Sequence, residues 1–548
     1  MTYSAKHISM RMITLFISIL LLAFHAQCSS DNEDSDEDTS AVTGTIKLST
    51  SEILMKAVRD SATFTITSDV SWNVSVPASG GWCKVDKTSG TNNATIEVTV
   101  EANPKIEERS TRITIKSSAG NKYVEIKQEA KEPDPEPEPE ETGVYLPLLT
   151  ITTVNKAPIL DRTNYIKGAI KIESRNDAGI VSNTLLDIEM TEDGIRGRGN
   201  SSWNSPKKPY RIKLDKSVEI LGMPKSKHWV LLANYSDKTL MRNSLVFEIS
   251  NRMEYAYTPR FQHVDVVLNG EYVGNYMLGE QIRIDKNRVN IAELKPTSEN
   301  ITGGYLFEID ERKDEADEAF YVDTKGKDMN GSHKLVVAVK NPELADITDA
   351  QKQYVVDHFQ NIEDALYGRD GKDPATEFPK WVDMKSFIDN FLINEISKNV
   401  DGNLRLSTFM YKKEDDNLLY FGPVWDYDIA FGNADYGGGD ATTGWMSRGD
   451  RWYREFFRIP KFDQMVKDRW KELRSNQLSE SNLALYISET AKKLETSQEK
   501  NFEKWKILGE HVWPNPAGHE ERKTYASEVY YLKEFLLQRA KWMDTELK

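Results

Sequence analysis

The chain has 548 residues, a formal net charge of −15 and 39% hydrophobic residues. That length supports two to four domains with a large core, and the composition is that of a soluble globular protein. The acidic balance argues against a nucleic-acid binder, because phosphate binding wants a basic surface.

The N-terminus reads as a targeting segment. Lys6 and Arg11 precede an apolar run from Ile13 to Phe24, short for a membrane span but right for a signal h-region. Cys28 follows, then the acidic and polar run from Ser29 to Asp38. These residues resemble a bacterial lipoprotein signal, and the acidic run resembles the surface-export signal of Bacteroidetes lipoproteins. The resemblance implies a signal peptide over residues 1–27, lipidation of Cys28, a membrane partner reached by that anchor, and an outer-membrane or cell-surface location. Ordinary secretion with an acidic tail is the plainer alternative. Residues 28–44 are expected to form a disordered tether. The second cysteine, Cys83, sits beside Trp82 and reads as a small core residue.

Residues 45–130 alternate apolar and polar in short runs, such as Thr63–Thr67, Ala94–Val100 and Arg112–Lys116, separated by turn residues. That pattern predicts an antiparallel β-sandwich. Its details, Ser71-Trp72-Asn73-Val74, Gly81-Trp82-Cys83 and Ile126-Lys127-Gln128-Glu129-Ala130, resemble the BACON domain, an Ig-like module usually regarded as non-catalytic. Residues 131–143 carry Pro at every second position from Pro133 to Pro139, among acids, and are expected to act as a semi-rigid spacer. Residues 144–548 form one long unit, strand-rich at first and helical after about residue 348. Asn269-Gly270 between Val264–Leu268 and Tyr272–Leu278 is a strong hairpin signal. Tyr354, His358, Ile362 and Leu366 share one helical face, as do Trp381, Met384, Ile388, Phe391 and Glu395.

Two carboxylates two residues apart, Asp426 and Asp428, follow the apolar run Leu418–Phe421. An extended Asp-x-Asp points both acids the same way, and hard oxygen ligands suit Mg²⁺ or Mn²⁺. Upstream, Gly194-Ile195-Arg196-Gly197-Arg198-Gly199-Asn200-Ser201-Ser202-Trp203 leads into the basic segment Lys207–Leu214. Glycines let backbone approach phosphate and a following lysine can neutralise it, although Gly-Lys-Ser/Thr is missing. Arg211 and Lys213 share one face of their strand. Asp237 is placed to cap the helix that follows; Arg242 or Glu248 on that helix could face a phosphate or a lysine, but capping and surface pairing are the preferred readings for these two. Asp401 stands in a loop after a buried helix, ahead of a hairpin and the Asp-x-Asp pair.

In this order the pieces Arg198–Trp203, Lys208–Leu214, Trp229–Asn234 with Asp237 and Arg242-Asn243, Tyr272–Glu280, Asp401 and Pro423–Asp428 look like the CotH family of secreted, kinase-like proteins, over roughly residues 144–520. The resemblance implies an α+β, bilobal, atypical protein-kinase-like fold after the sandwich. It implies an exported kinase moving the ATP γ-phosphate to Ser/Thr of envelope or extracellular proteins with Mg or Mn. Lys213 and Asp401 would be catalytic. Arg198, Gly199, Asn200, Ser201, Lys208, Lys213 and Glu280 would bind nucleotide. Asp426 and Asp428 would hold metal. Kinases place an Asn five residues after the catalytic Asp; here Leu406 stands there, with Asn403 and Ser407 as the nearby oxygen donors. The rival reading is a non-catalytic pseudokinase that could bind glycan, mucin or protein through its BACON module and aromatic surface. A Ca²⁺-stabilised glycoside hydrolase uses the same acids and predicts carboxylates roughly 5–10 Å apart. The kinase reading requires Lys213, Asp401 and Asp426 to converge on one cleft.

Overall fold

Period-two alternation builds the N-terminal unit. The computed structural model describes residues 44–131, 143–313, 319–327 and 333–548, and the chain divides into a unit up to Glu140 and one from Glu141. The signal segment, Cys28, most of the tether and the spacer residues 132–142 lie outside the described residues. In the first unit one sheet orders Ile46–Leu48, Asp60–Ser68, Ala94–Val100 and Cys83–Val85. The other orders Glu52–Met55, Lys122–Gln128, Arg109–Ser117, Trp72–Ser75 and Ser89–Gly90. Phe64, Ile66, Trp72, Ile96, Ile113 and Val124 fill the space between them, with Cys83 buried beside them. Gln128 is fully buried and donates through Nε2 to the carbonyls of Lys56 and Glu101 while Oε1 accepts from Arg109. Substitution there strands buried backbone carbonyls.

The second unit opens with a closed barrel. Leu148–Thr153, Ile166–Arg175, Val181–Gly197, Tyr210–Ile220, Met223–Leu232, Glu271–Glu280 and Phe261–Leu268 follow one another around it. Parallel pairing of Leu148–Thr153 with Phe261–Leu268 closes the ring. Leu149, Ile170, Ile195, Ile212, Trp229 and Val264 pack inside. Their neighbours therefore face outward: Arg196 and Arg211 lie on the outer surface, opposite each other in register. Asn269 and Gly270 both have positive φ, 54° and 92°, which makes the expected two-residue hairpin turn type I′.

After the helix Arg242–Arg252 the chain builds a second sheet, ordered Phe320–Asp323, Val336–Asn341, Tyr305–Ile309, Thr408–Lys412 and Leu419–Phe421. The helices Asp349–Leu366, Met384–Ser397, Pro460–Ser475 and Tyr525–Glu546 pack with this sheet around one large core. The C-terminal half is thus mixed, because strands on both sides of Asp401 return to the sheet. Among the described residues no helix is long and apolar enough to cross a membrane.

Candidate functional site

The helix Met384–Ser397 is capped by Asp383, whose side chain accepts from the Ser386 N–H at 2.8 Å, and every residue from Phe387 to Ser397 is buried. It stops at Lys398, which turns left-handed with φ 51°. The next turn carries Asp401, whose N–H donates to Asn399 Oδ1 at 3.1 Å. Gly402 passes so close to the helix that a Cβ there would sit 1.9 Å from Asn394 Oδ1. That same oxygen accepts from the Tyr427 hydroxyl at 2.8 Å. The Tyr427 N–H donates to Asn243 Oδ1 at 2.8 Å, and Asn243 Nδ2 donates to Asn234 Oδ1 at 3.0 Å. Buried amides thus brace the Asp401 turn and the Asp-Tyr-Asp segment together. Leu404, Ser407 and Asp426 all have left-handed φ, a strained arrangement that persists where the surroundings over-determine it. Asp426 is therefore not extended as the motif alone suggests, yet both acids reach one cleft.

That cleft has a volume of about 1140 Å³, and Asp401, Asp426, Asp428 and Ser407 line one part of it. Ser407 Oγ donates to Asp426 Oδ2 at 3.3 Å. Burial, reinforced by Asp426, pushes Asp401 up to about 6. Burial, then Asp426, Asp237 and Asp401, holds Asp428 well above the usual carboxylate range. Burial and the neighbouring acids thus disfavour the ionised forms of Asp401 and Asp428, an environment a bound cation relieves. Arg312 approaches Asp426 and Asp401 from the side, and Arg198 approaches Asp426 and Asp428 while lying over the Trp425 ring at 5.5 Å. Among the described residues no three His, Cys, Asp or Glu side chains are gathered into a closed metal cage; the oxygens on offer are two carboxylates and a hydroxyl.

A pH test follows. Folded pKa values raised above the unfolded ones mean excess protons in the native state. The stability they supply is present below about pH 4 and is lost as pH rises through about 6 for Asp401, and higher for Asp428. The full chain should thus lose stability relative to Asp428→Asn between about pH 5 and pH 8, and Mn²⁺ should raise its melting temperature more at the upper end. Parallel melting curves for the two proteins across that range would remove this role.

The expected loop also lines the cleft, through Arg198, Gly199, Asn200 and Ser201. Gly199 has φ 80°, and Arg162 Nη1 donates to both the Gly199 carbonyl and Asn200 Oδ1 at 2.8 Å. Four expectations are corrected. Lys213 is not in the cleft; it pairs with Asp193 at 2.9 Å, 34% exposed. The required convergence therefore holds for Asp401 and Asp426 and fails for Lys213, so a kinase reading survives only if another cation of the cleft takes the phosphate role given to that lysine. Arg211, on the same strand face, lies nearer the loop and enters the cleft instead. Lys213→Ala should change stability by about 0–1 kcal/mol, read by melting. Lys208 supports the loop from outside, donating to the Trp203 carbonyl at 2.7 Å across the Trp203 ring. Glu280 is fully buried and accepts from Arg260 at 2.9 Å and from Tyr257 at 3.1 Å, with Arg288 at 3.6 Å. It is a structural ion-pair centre. Asn403 is buried away from the cleft, while Leu406 lines it.

Asp237 accepts from the Arg242 N–H at 2.8 Å, at the start of its helix, and pairs with the buried Arg242 guanidinium. Glu248 pairs with Arg252 at 2.7 Å. Sequence reasoning picked out Asn243 only as part of a motif, with no role, and missed Gln281 as a cleft residue. Gln281, one residue past Glu280, lines the cleft with a buried, unpartnered Oε1.

Fold and cleft define a two-unit protein: an all-β sandwich, then a mixed α and β unit whose cleft is lined by acids and arginines. The family model described as CotH kinase protein matches residues 195–543, and the chain belongs to that family. The BACON model, an N-terminal binding domain by its description, matches residues 70–129. The family match supports a kinase-like function. No curated protein matches the chain. A solved Bacteroides ovatus GH5 xyloglucanase is 18% identical over 26% of this chain and 30% of its own, with a TM-score of 0.15. A Bacteroides thetaiotaomicron protein solved by NMR is 15% identical over 18% and 98%, TM-score 0.14. Domains 4–9 of the surface layer protein SbsC are 15% identical over 34% and 28%, TM-score 0.14. At those scores the likenesses carry no argument for fold or function.

Proposed function

We propose that residues 144–548 form a bilobal, atypical kinase-like domain that transfers the ATP γ-phosphate to Ser or Thr of an envelope or extracellular protein. The gathering of Asp401, Asp426, Asp428 and the Gly199 loop on one cleft carries the reading. Asp426 and Asp428, with the Ser407 hydroxyl, fit a Mg²⁺ or Mn²⁺ ion by their hard oxygens and by the charge they leave uncompensated. When bound, that ion neutralises charge on the donor phosphates. Arg198 and the Gly199–Ser201 loop hold the donor. Asp401 orients the acceptor hydroxyl and, when ionised, accepts its proton. Catalysis is positioning plus electrostatics, as phosphoryl transfer requires. The N-terminal sequence supports a lipid anchor on Cys28 and display at the outer membrane or surface. The BACON module would space the domain or hold glycan or mucin.

ATP is scarce outside the cytoplasm, so the donor itself needs testing. The full chain is incubated with γ-labelled ATP, Mg²⁺ or Mn²⁺, and envelope extract. Metal-dependent label on protein is expected. Binding without transfer would favour the pseudokinase reading, to which the position of Lys213 outside the cleft lends weight. No nucleotide binding at all would sink the kinase reading.

A further inference from the structure

Arg196 and Arg211 are direct partners across two antiparallel strands. Like charges placed so repel and destabilise a sheet. Both side chains turn outward into the cleft, and Arg283 joins them there from beyond Gln281. Among the described residues none of the three guanidiniums makes an ion pair or a side-chain hydrogen bond, and the Nε atoms of Arg196 and Arg211 are buried without a partner. Arg196 rests on the Tyr165 ring at 5.1 Å. Glu343 acts on Arg211 and Arg283 through space, and Asp285 and Glu293 act on Arg283, but none closes onto them. The surplus positive potential is felt by His228, paired in register with Lys213. Burial first, then Arg283, Arg211, Lys213 and Arg288, hold that imidazole down to about 3. The cleft thus runs from a carboxylate end, past Arg198, to an end of unpaired arginines. Buried donors left open in this way cost stability unless a ligand meets them.

We propose that Arg196, Arg211 and Arg283 form a clamp for a polyphosphate chain, free or as the tail of a nucleoside triphosphate. The clamp stands on the register and burial of its arginines; the identity of its anion rests on the kinase-like reading. Planar guanidinium forks match phosphate oxygens in pairs. The phosphate role expected of Lys213 passes to arginine.

The test uses the full chain without divalent ions, so that the carboxylate end recruits nothing. Melting and titration calorimetry are run with sodium tripolyphosphate, ATP and AMP. Tripolyphosphate should bind and stabilise, with AMP much weaker. Arg196→Gln and Arg211→Gln should each weaken tripolyphosphate binding by about tenfold or more, while melting no lower than the parent without ligand, because a repulsive pair is removed. Binding of both tripolyphosphate and ATP supports a nucleotide tail as ligand; binding of tripolyphosphate alone supports a free polyphosphate. Undiminished binding in both variants, or none in the parent, overturns the clamp. If label is transferred from ATP while both variants bind normally, the clamp fails and the kinase reading survives. If the clamp binds and no transfer is found, the reverse holds.

Discussion

Replacing Asp426 by Asn is expected to lower metal-dependent phosphoryl transfer by about 10³-fold or more while leaving the melting temperature nearly unchanged. Asp426 is exposed in the cleft, and its carboxylate makes one hydrogen bond, from Ser407. The residue has φ 69°, a conformation that Asn tolerates better than most side chains. Asn therefore removes the charge without adding backbone strain, which Ala would add. Rates of label transfer and melts on the same preparations check both halves. A loss below about tenfold would take Asp426 out of the reacting group.

Arg539→Met should cost about 3–5 kcal/mol of stability. Arg539 and Glu395 are both fully buried and meet at 2.8 Å. Arg539 Nε also donates to the Glu395 carbonyl at 2.7 Å, and Nη1 to the Gly444 carbonyl at 2.7 Å. Glu395 accepts from the Met446 and Ser447 N–H groups as well. Removing the cation strands a charge in the core, just ahead of the Asp401 turn. Adding Glu395→Gln to Arg539→Met should recover part of the loss, since the orphaned charge goes with it. Urea unfolding of single and double variants measures this; a single-variant loss under about 1 kcal/mol would show that the pair is not under the strain of burial.

Much of this was legible in the sequence. Strict alternation located the sandwich strands, and Asn269-Gly270 located its hairpin, because both signals are local. The acids at 401, 426 and 428 were readable because their order and spacing follow from one helix end and one hairpin. Barrel closure was not readable, since pairing between Leu148–Thr153 and Phe261–Leu268 leaves no local mark. Alternation put Arg211 and Lys213 on one face but could not say how far along the strand the cleft extends. Glu280 ends its strand much as a ligand-binding acid would; only Arg260 and Arg288, brought in from elsewhere, reveal it as a core ion pair.

The closed barrel has a consequence for how the protein is made. Leu148 pairs with Asp265, so the first strand of the unit waits more than a hundred residues for its second neighbour. Until then its open flank can template pairing with another chain, the hazard that closure later abolishes. Contacts so distant in sequence also slow folding. Synthesis, which delivers this unit piecemeal, therefore exposes it longest at its leading strand, and a holding chaperone acting on residues near Leu148 would shorten the period of risk.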